Sequence, residues 1–264
     1  MQRMLALSLL LCLSTPLHAQ HAVITQEERP QATSDTLRPG DRLDVFFFRD
    51  ADMRLVVIDE AYPRRYGSLK RALEKHGCLA GINGGYFKGD AQASPLGLLV
   101  HDGNMSQPAA SGSFAVSGVL CDDGKRIRLV RSNKLDTPPT RLREAIQAGP
   151  FLVEDGKLVS GLDKRKRARR SFIATDGRGR WCIGVCSPMS LHELALRLSG
   201  GALRGFVVRT ALNLDGGSSS AFADRQTGYS ISNLKPVRNY IGIAPRRAGV
   251  SPRASSAENT RPAK

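Results

Sequence analysis

The sequence predicts a single α+β domain with a mixed β-sheet and a few packed helices. Short apolar runs recur along the chain between polar, glycine-containing turns, which is typical of β-strands. Two segments instead have the capping residues and the apolar spacing of helices. Because each helix lies between two strand-like runs, we expect two helical crossovers in a sheet whose other connections are mostly hairpins.

The predicted strands are rich in apolar and β-branched residues and end in turn-forming residues. They cover residues 44–48, 55–58, 78–82, 96–100, 114–119, 127–130, 151–153, 171–175, 181–185 and 206–214. Asp176-Gly177-Arg178-Gly179 separates two of these runs and predicts a hairpin. The middle of the chain is therefore expected to be rich in β-structure.

The two predicted helices are residues 67–77 and 190–198. In the first, Ser68 is the N-cap or lies in the first turn, and Gly77 lies just past the C-terminus. Leu69 and Leu73 of this helix are expected to face the core.

The N-terminal residues have the features of a cleaved secretory signal peptide, residues 1–19. Arg3 supplies a positive charge, residues 5–13 form a short apolar segment, and Ala19 precedes a predicted cleavage before Gln20. No later stretch approaches the roughly 20 apolar residues that a membrane helix needs. We therefore expect a periplasmic or secreted protein without an integral membrane segment.

The expected organisation after the signal peptide is a flexible lead-in, one domain and a disordered tail. The lead-in at residues 20–40 is polar and has no apolar periodicity. The domain at residues 41–245 is long enough to bury a substantial core. The tail at residues 246–264 is basic.

Four cysteines follow the signal peptide. Cys182 and Cys186 lie on one predicted strand, where positions four apart are separated by about 13 Å, which is too far for a disulfide. Any disulfide, including one with Cys78 or Cys121, must therefore be long-range. No Cys-x-x-Cys pair is present and the histidines are scattered, so a zinc site is not favoured.

The formal net charge of +15 predicts an anionic partner. Much of the excess lies in the basic run at residues 164–170 and in the tail. Nucleic acid is not the expected partner, because the protein is expected to be exported and the run lacks interleaved aromatic residues. Anionic envelope polymers or lipid head groups are favoured instead, and we interpret the upstream part of the run as a solvated loop.

Three segments share one pattern, in which a predicted strand is followed by an amide or acid and then by glycine. They are Asn83-Gly84-Gly85-Tyr86-Phe87, Gln147-Ala148-Gly149-Pro150 and Asn213-Leu214-Asp215-Gly216-Gly217-Ser218-Ser219. Each alone is compatible with an ordinary glycine turn. Because strand ends in a mixed sheet commonly gather at one rim, we expect a shared ligand site in which amides bind sugar or phosphate oxygens and glycine N–H groups surround an anion.

In this order, the three segments resemble the phosphodiester glycosidase domain family. Pro95-Leu96-Gly97-Leu98 and Arg170-Ser171-Phe172-Ile173-Ala174 extend the resemblance, which spans residues 44–243. The resemblance implies hydrolysis of the bond between a sugar's anomeric carbon and a phosphodiester. The products would be the free sugar and a phosphomonoester.

Within this resemblance, the chemistry of the side chains suggests their roles. Asp215 is the only carboxylate in the motifs, so we expect it to be the catalytic acid, base or nucleophile, with Asn83 as a second catalytic residue. Arg170 is expected to hold the phosphate, and Arg238 to add a second cation. The other predicted substrate-binding residues are Gly84, Gly85, Gln147, Gly149, Gly216, Gly217, Ser218, Ser219 and Asn239.

Phosphate is already a good leaving group, which reduces the need for a second carboxylate. If one is needed, Asp59, Glu60 and Asp90 are unranked candidates. No cofactor is implied, and no acidic cluster indicates a calcium loop, which leaves metal dependence open. Tyr86 is compatible with stacking on a sugar or with core packing.

The alternative function is a non-catalytic module that binds anionic envelope glycans at the same rim.

Overall fold

The computed structural model describes residues 19–25, 41–61, 63, 66–201, 203 and 205–246, and most of this chain lies in three antiparallel β-sheets. In chain order the strands are β1 (Gln20–Thr25), β2 (Arg42–Arg49), β3 (Met53–Asp59), β4 (Ala80–Asn83), β5 (Leu99–His101), β6 (Asn104–Gln107), β7 (Gly118–Asp122), β8 (Ile127–Arg131), β9 (Glu144–Ala148), β10 (Phe151–Glu154), β11 (Lys157–Leu158), β12 (Ala168–Thr175), β13 (Arg180–Met189), β14 (Thr210–Asn213), β15 (Phe222–Asp224), β16 (Ser230–Ile231) and β17 (Asn239–Pro245). The α-helices are α1 (Leu69–Lys75) and α2 (Leu191–Ser199), and short 3-10 turns lie at Phe114–Val116, Ser132–Lys134, Pro139–Arg141 and Gly217–Ser219.

The predicted α+β class with a mixed sheet is wrong. Both helices exist, but neither joins neighbouring parallel strands. Helix α1 connects β3 to β4, and β17 lies between them; helix α2 connects β13 to β14, and β12 lies between them. The inserted strand is antiparallel to both neighbours in each case. A helical crossover therefore joins strands of the same direction without creating a parallel pair, which is why the crossovers were misleading.

The three sheets pack around one shared apolar core. The strand orders are β1-β2-β13-β12-β14-β10-β11, β16-β15-β4-β17-β3 and β6-β5-β9-β7-β8. Each sheet contributes to the same buried cluster, as shown by Phe46 from the first, Ile241 from the second and Ile146 from the third. The strand ends of all three sheets are therefore held close to one another.

The two helices begin as the sequence predicts. The Ser68 side chain accepts a hydrogen bond from the Arg71 N–H, and Ser190 and Glu193 form a reciprocal capping box at the start of α2. Leu69 and Leu73 of α1 are buried, as expected. Since each helix covers a face of a different sheet, the helices support the strands from outside the central core.

The predicted domain boundaries differ from the structure at both ends. The flexible lead-in is wrong for Gln20–Thr25, which forms β1 and pairs with β2. Arg246 was assigned to the disordered tail, yet its guanidinium donates to the carbonyls of Asp50 and Gly124. The remainder of the lead-in, most of the predicted signal peptide and the tail after Arg246 lie outside the described residues. Among the helices that the structure describes, none is long and apolar enough to cross a membrane.

The four cysteines of the domain are free and buried. Cys182 and Cys186 lie on β13, as the predicted strand requires, and their thiols are part of the core beneath α2. Burial raises the thiol pKa of Cys78 to about 12 and that of Cys121 to about 11. These thiols are therefore neutral packing groups at neutral pH.

We expect Gly184→Ala to lower the free energy of unfolding by about 1–3 kcal/mol, because overpacking a dense core forces its neighbours to move. A Cβ on Gly184 would lie 2.6 Å from the Phe172 ring and 3.0 Å from the Asp44 carbonyl oxygen. Urea unfolding measures the change. Gly89→Ala is the matched control, because a Cβ there meets nothing within 4 Å. An equal effect of the two substitutions would contradict this account of the packing.

Candidate active site

The three amide and glycine segments converge, although they follow strands of three different sheets. Asn83 ends β4, and its side-chain N–H donates to the Asp215 carbonyl oxygen at 2.7 Å. The Asp215 N–H donates to the Gly84 carbonyl oxygen at 3.0 Å. Asn213 ends β14, and its side-chain N–H donates to the Gly149 carbonyl oxygen at 2.9 Å. These hydrogen bonds assemble one site where the sheets meet.

Asn83 is fully buried and its polar atoms are bonded to protein groups. In addition to its bond to Asp215, its side-chain oxygen accepts from the Ser171 hydroxyl at 2.6 Å and from the Ala221 N–H at 3.0 Å. Asn83 therefore fixes the position of the Asp215 backbone. These contacts are those of a positioning residue, which differs from the catalytic role expected from the sequence.

Gln147 is also occupied by structural hydrogen bonds. Its side-chain oxygen accepts from the N–H groups of Leu98 and Ala110, and its side-chain nitrogen donates to the Ala110 and Val116 carbonyl oxygens and the Ser132 hydroxyl. The predicted contact between this amide and a sugar is not available with these bonds in place. The same side chain lines a cavity of about 760 Å³ next to the 3-10 turn Phe114–Val116.

The glycines after Asn83 are required for close packing between sheets. A Cβ on Gly84 would overlap the Asn239 side chain, and a Cβ on Gly85 would overlap the Gln147 carbonyl oxygen. Their N–H groups donate to the backbone and side-chain oxygens of Asn239 at 3.0 and 2.8 Å. They are therefore not free to surround an anion, as the sequence had suggested. The side-chain nitrogen of Asn239 is buried without a hydrogen-bond partner among the described residues.

The turn after Asp215 is open on one side. Gly216 donates its N–H to the Asp215 carboxylate at 2.8 Å. Gly217 has a φ of +63°, which favours glycine, and a Cβ there would meet nothing within 4 Å. It begins the short helical turn Gly217–Ser219, whose first N–H groups have no acceptor inside the turn. Unlike Gly84 and Gly85, this segment can present N–H groups to an anion.

Asp215 is half-buried, and its carboxyl has a raised pKa. Burial is the main cause, because it disfavours the charged form. Hydrogen bonds from the Ser219 hydroxyl and the Gly216 N–H act in the opposite direction without cancelling the effect of burial. Within the described residues no lysine or arginine forms an ion pair with Asp215. The carboxylate is therefore not neutralised by a neighbouring cation.

Arg170 is 9 % exposed and lies against the Asp215 turn. Its Cδ would lie 3.6 Å from a Cβ placed on Gly216. Its guanidinium donates to the carbonyl oxygens of Met189 at 3.2 Å and Lys166 at 2.7 Å, and no carboxylate in the described part of the chain forms an ion pair with it. Neutral carbonyls orient the guanidinium without forming an ion pair, and the exposed Asp163 carboxylate acts on its charge only from a longer distance, which suits a phosphate-binding arginine.

Arg238 differs from Arg170, because its charge is already compensated. Its Nε and Nη2 donate to the two carboxylate oxygens of Asp59 at 2.7 and 3.0 Å, and its Nη1 donates to the Gln92 carbonyl oxygen. The predicted second cation and one of the three candidate second carboxylates are therefore partners of each other. This bidentate pair leaves neither charge for a substrate.

The other two candidate carboxylates have local roles. The Glu60 side chain is buried and accepts from the N–H groups of Tyr66 and Gly67, ahead of α1. Asp90 is exposed and accepts from the Ser94 N–H at 2.8 Å, a hydrogen bond that lowers its pKa. Their hydrogen bonds place both within their own loops rather than at the Asp215 turn.

A family model described as phosphodiester glycosidase matches residues 76–244, which include all three converging segments and Arg170. The chain belongs to the phosphodiester glycosidase family. Membership supports a glycosidase-like hydrolase function. No curated protein matches the sequence.

Three solved structures of low sequence identity share the fold of this chain. The catalytic domain of zebrafish N-acetylglucosamine-1-phosphodiester alpha-N-acetylglucosaminidase, auto-inhibited by its pro-peptide, has a TM-score of 0.62 and 13 % identity, and the match covers 88 % of this chain and 85 % of that one. A hypothetical protein from Synechocystis has a TM-score of 0.51, 17 % identity and coverage of 86 % and 62 %. A candidate exported protein from Burkholderia pseudomallei K96243 has a TM-score of 0.53, 11 % identity and coverage of 78 % and 74 %. At these identities the likeness shows the fold alone.

Two side chains of this family member were not among the predicted site residues. Asn213 donates to the Tyr86 hydroxyl at 2.9 Å, and burial, with the nearby charge of Asp215, raises the pKa of Tyr86 to about 12. Tyr86 is therefore a neutral hydroxyl at the site, close enough to Asp215 and Arg170 for their charges to act on it in opposite directions. The repeated amide pattern was the signal for Asn213, whereas Tyr86 had no signal that distinguished it from a core aromatic.

We expect Asp215→Asn to stabilise the protein at pH 7. Because the pKa of Asp215 is raised by folding, the folded state holds the proton more tightly, and ionisation costs stability as pH rises through the unfolded and folded pKa values. The neutral amide avoids that cost and keeps an acceptor for the Gly216 N–H. The gain, measured as the difference in urea midpoint from wild type, should shrink on acidification.

Asp90→Asn is the control for this measurement and should have the opposite sign. Folding lowers the pKa of Asp90, so its contribution to stability is present at neutral pH and is lost as pH falls through the folded value. A midpoint for Asp215→Asn below that of wild type at pH 7 would contradict the electrostatic account.

Proposed function

We propose that the chain hydrolyses a sugar-1-phosphodiester at the glycosidic bond, with ionised Asp215 acting as base or nucleophile at the anomeric carbon. The observation that carries the proposal is that two charged side chains, Asp215 and Arg170, lie at the same turn without an ion pair and are held by different neutral groups. Asp215 is fixed by Asn83 and Gly84, while Arg170 is oriented by backbone carbonyls beside Gly216. Family membership supports the reaction class.

Asp215 and Arg170 act on different parts of the substrate. Asp215, or a water molecule that it deprotonates, supplies an electron pair to the anomeric carbon. The bond from that carbon to the bridging oxygen breaks, and its electrons leave with the phosphomonoester. If Asp215 attacks directly, water then hydrolyses the bond between Asp215 and the sugar, which releases the free sugar and restores the carboxylate. Arg170 offsets the negative charge that develops on this leaving group. Because the second phosphate pKa is about 6, the leaving group departs without obligatory protonation.

Tyr86 is suited to assist at the same point. Asn213 occupies an acceptor position on its hydroxyl oxygen, so the hydroxyl hydrogen is free to donate to an oxygen of the substrate. The raised pKa keeps that hydrogen in place at neutral pH. A neutral donor near Asp215 and Arg170 adds orientation without adding charge.

Asp215→Asn is expected to lower kcat/KM by about 10²–10⁴-fold, the range for loss of an acid–base group. The assay is release of free sugar from a sugar-1-phosphodiester by the purified domain. The stability measurement above verifies that the variant is folded, and Asp90→Asn controls for loss of a carboxylate. Undiminished sugar release by Asp215→Asn would refute the role.

The alternative function has its own signature in the wild-type protein. Tight, salt-sensitive glycan binding by wild type with no sugar release would identify a binding module.

Ser219→Ala should move the acidic limb of the pH–rate profile to higher pH. The Ser219 hydroxyl stabilises the ionised carboxylate of Asp215, so its removal raises that pKa further and protonates the group at a higher pH. Ser220→Ala is the control, because that hydroxyl donates to the Arg169 carbonyl oxygen instead. If Asp215 acted as an acid, the alkaline limb would move, and the base or nucleophile assignment would be wrong.

A further inference from the structure

Two exposed basic loops are attached to the Asp215 turn. The first, residues 163–167, is tied to the site because the Lys166 carbonyl oxygen accepts from Arg170 at 2.7 Å. The second, residues 232–236, is tied to it because the Ser218 carbonyl oxygen accepts from the N–H groups of Leu234 and Lys235 at 2.8 and 3.2 Å. The loops are far apart in sequence, yet both are anchored to residues that form the site.

Four cationic side chains of these loops form no ion pair within the described residues. Lys164, Arg165, Lys166 and Lys235 are exposed, and none forms an ion pair with a carboxylate in the described ranges. Arg167 shows the contrast, since it pairs with acidic side chains of the domain.

The first loop contains one acidic residue, Asp163. Its exposed carboxylate accepts from the Arg165 N–H at 2.8 Å, and its pKa is lowered by this hydrogen bond and by the nearby charges of Arg165 and Arg170. It leaves the loop with a net positive charge. In the second loop the polar side chain of Asn233 donates to the Lys235 carbonyl oxygen, which again leaves the lysine charge free.

We propose that the two loops form a track for a polyanion, and that the substrate is a glycan chain bearing several phosphodiester groups. This inference rests on the proposed function. One phosphodiester would occupy the site at Arg170, and its neighbours along the chain would lie on the loops. One phosphate group needs only the cation at the site. Several exposed cations near the site instead complement a polymer that carries a negative charge at each repeat. Such contacts are individually weak and screened by salt.

The test compares a polymer with a monomer in one variant, Lys164→Gln with Arg165→Gln and Lys235→Gln. The polymer is a glycan with repeating sugar-1-phosphodiester linkages, and the monomer carries the same sugar on one phosphodiester with a neutral aglycone. We expect KM for the polymer to rise about tenfold at low salt, because steering by local charge is lost. For the polymer, kcat should not change, and both constants for the monomer should stay at their wild-type values.

The control removes comparable charge elsewhere. Lys70→Gln with Arg71→Gln and Lys75→Gln takes exposed cations from α1 and should change neither substrate's kinetics. Raising the salt concentration should raise the polymer KM of wild type and of this control, but should have little effect on the loop variant. An equal fall in kcat for both substrates would show that the loops only support the site, and would overturn the track.

The outcomes separate this inference from the proposed function. Monomer hydrolysis with an unchanged polymer KM in the loop variant overturns the track alone. If neither substrate releases sugar, the proposed function fails, and titration of the polymer into Asp215→Asn with and without the loop substitutions still tests the track. Binding to vesicles of anionic lipid that depends on the loops, with no effect on the polymer, would identify a membrane surface as the partner and overturn the polymer assignment.

Discussion

The site depends on a single constraint, which is that three sheets with no shared hydrogen-bond ladder must meet at one point. Side-chain amides meet this constraint, because an amide both donates and accepts and can link backbone groups that point in different directions. Asn83 joins the end of β4 to Asp215, Ser171 and Ala221 in this way. Gln147 and Asn213 do the same for the neighbouring segments. Glycine is needed beside them because the strand ends approach too closely for a Cβ.

The candidate site also holds two opposite charges apart, in contrast to the ion pair between Asp59 and Arg238. Asp59 and Arg238 neutralise each other in a bidentate contact, which fixes structure and leaves no reactivity. Asp215 and Arg170 are instead held by neutral hydrogen-bonding groups. Burial of a carboxylate without an ion pair lowers the stability of the fold. The same burial shifts the pKa of the carboxylate, and shifted pKa values are typical of acid–base and nucleophilic groups. Asp59 and Arg238 thus form a structural ion pair, whereas the proposed function assigns roles to Asp215 and Arg170.

Sequence reasoning predicted which segments meet but not the contacts that several of their side chains make. The repeated pattern of amide or acid before glycine predicted that the segments around Asn83, Gln147 and Asp215 would converge, and they do. It did not reveal which side chains face inward, because a shift of one residue reverses the face of a strand. The Asp59 and Arg238 pair joins residues 179 positions apart, and no local pattern announces it.

The lack of a local signal for long-range contacts also explains the error in the predicted fold class. The caps and lengths of α1 and α2 are local properties and were predictable, as was the hairpin between β12 and β13. The placement of β17 between β3 and β4 is set by tertiary packing over the length of the domain. Local signals identify elements more readily than they identify neighbours.

The position of β17 also determines when the site can form. This last strand of the described residues is central in its sheet and supplies the ladder partners of both β3 and β4. Before it is in place, β4 lacks the neighbour that aligns Asn83, and Gly84 and Gly85 lack the oxygens of Asn239. Pairings between such distant segments form late because closing long loops costs entropy. We therefore expect the Asp215 turn to reach its final position only after β17 has been synthesised and has paired with β4.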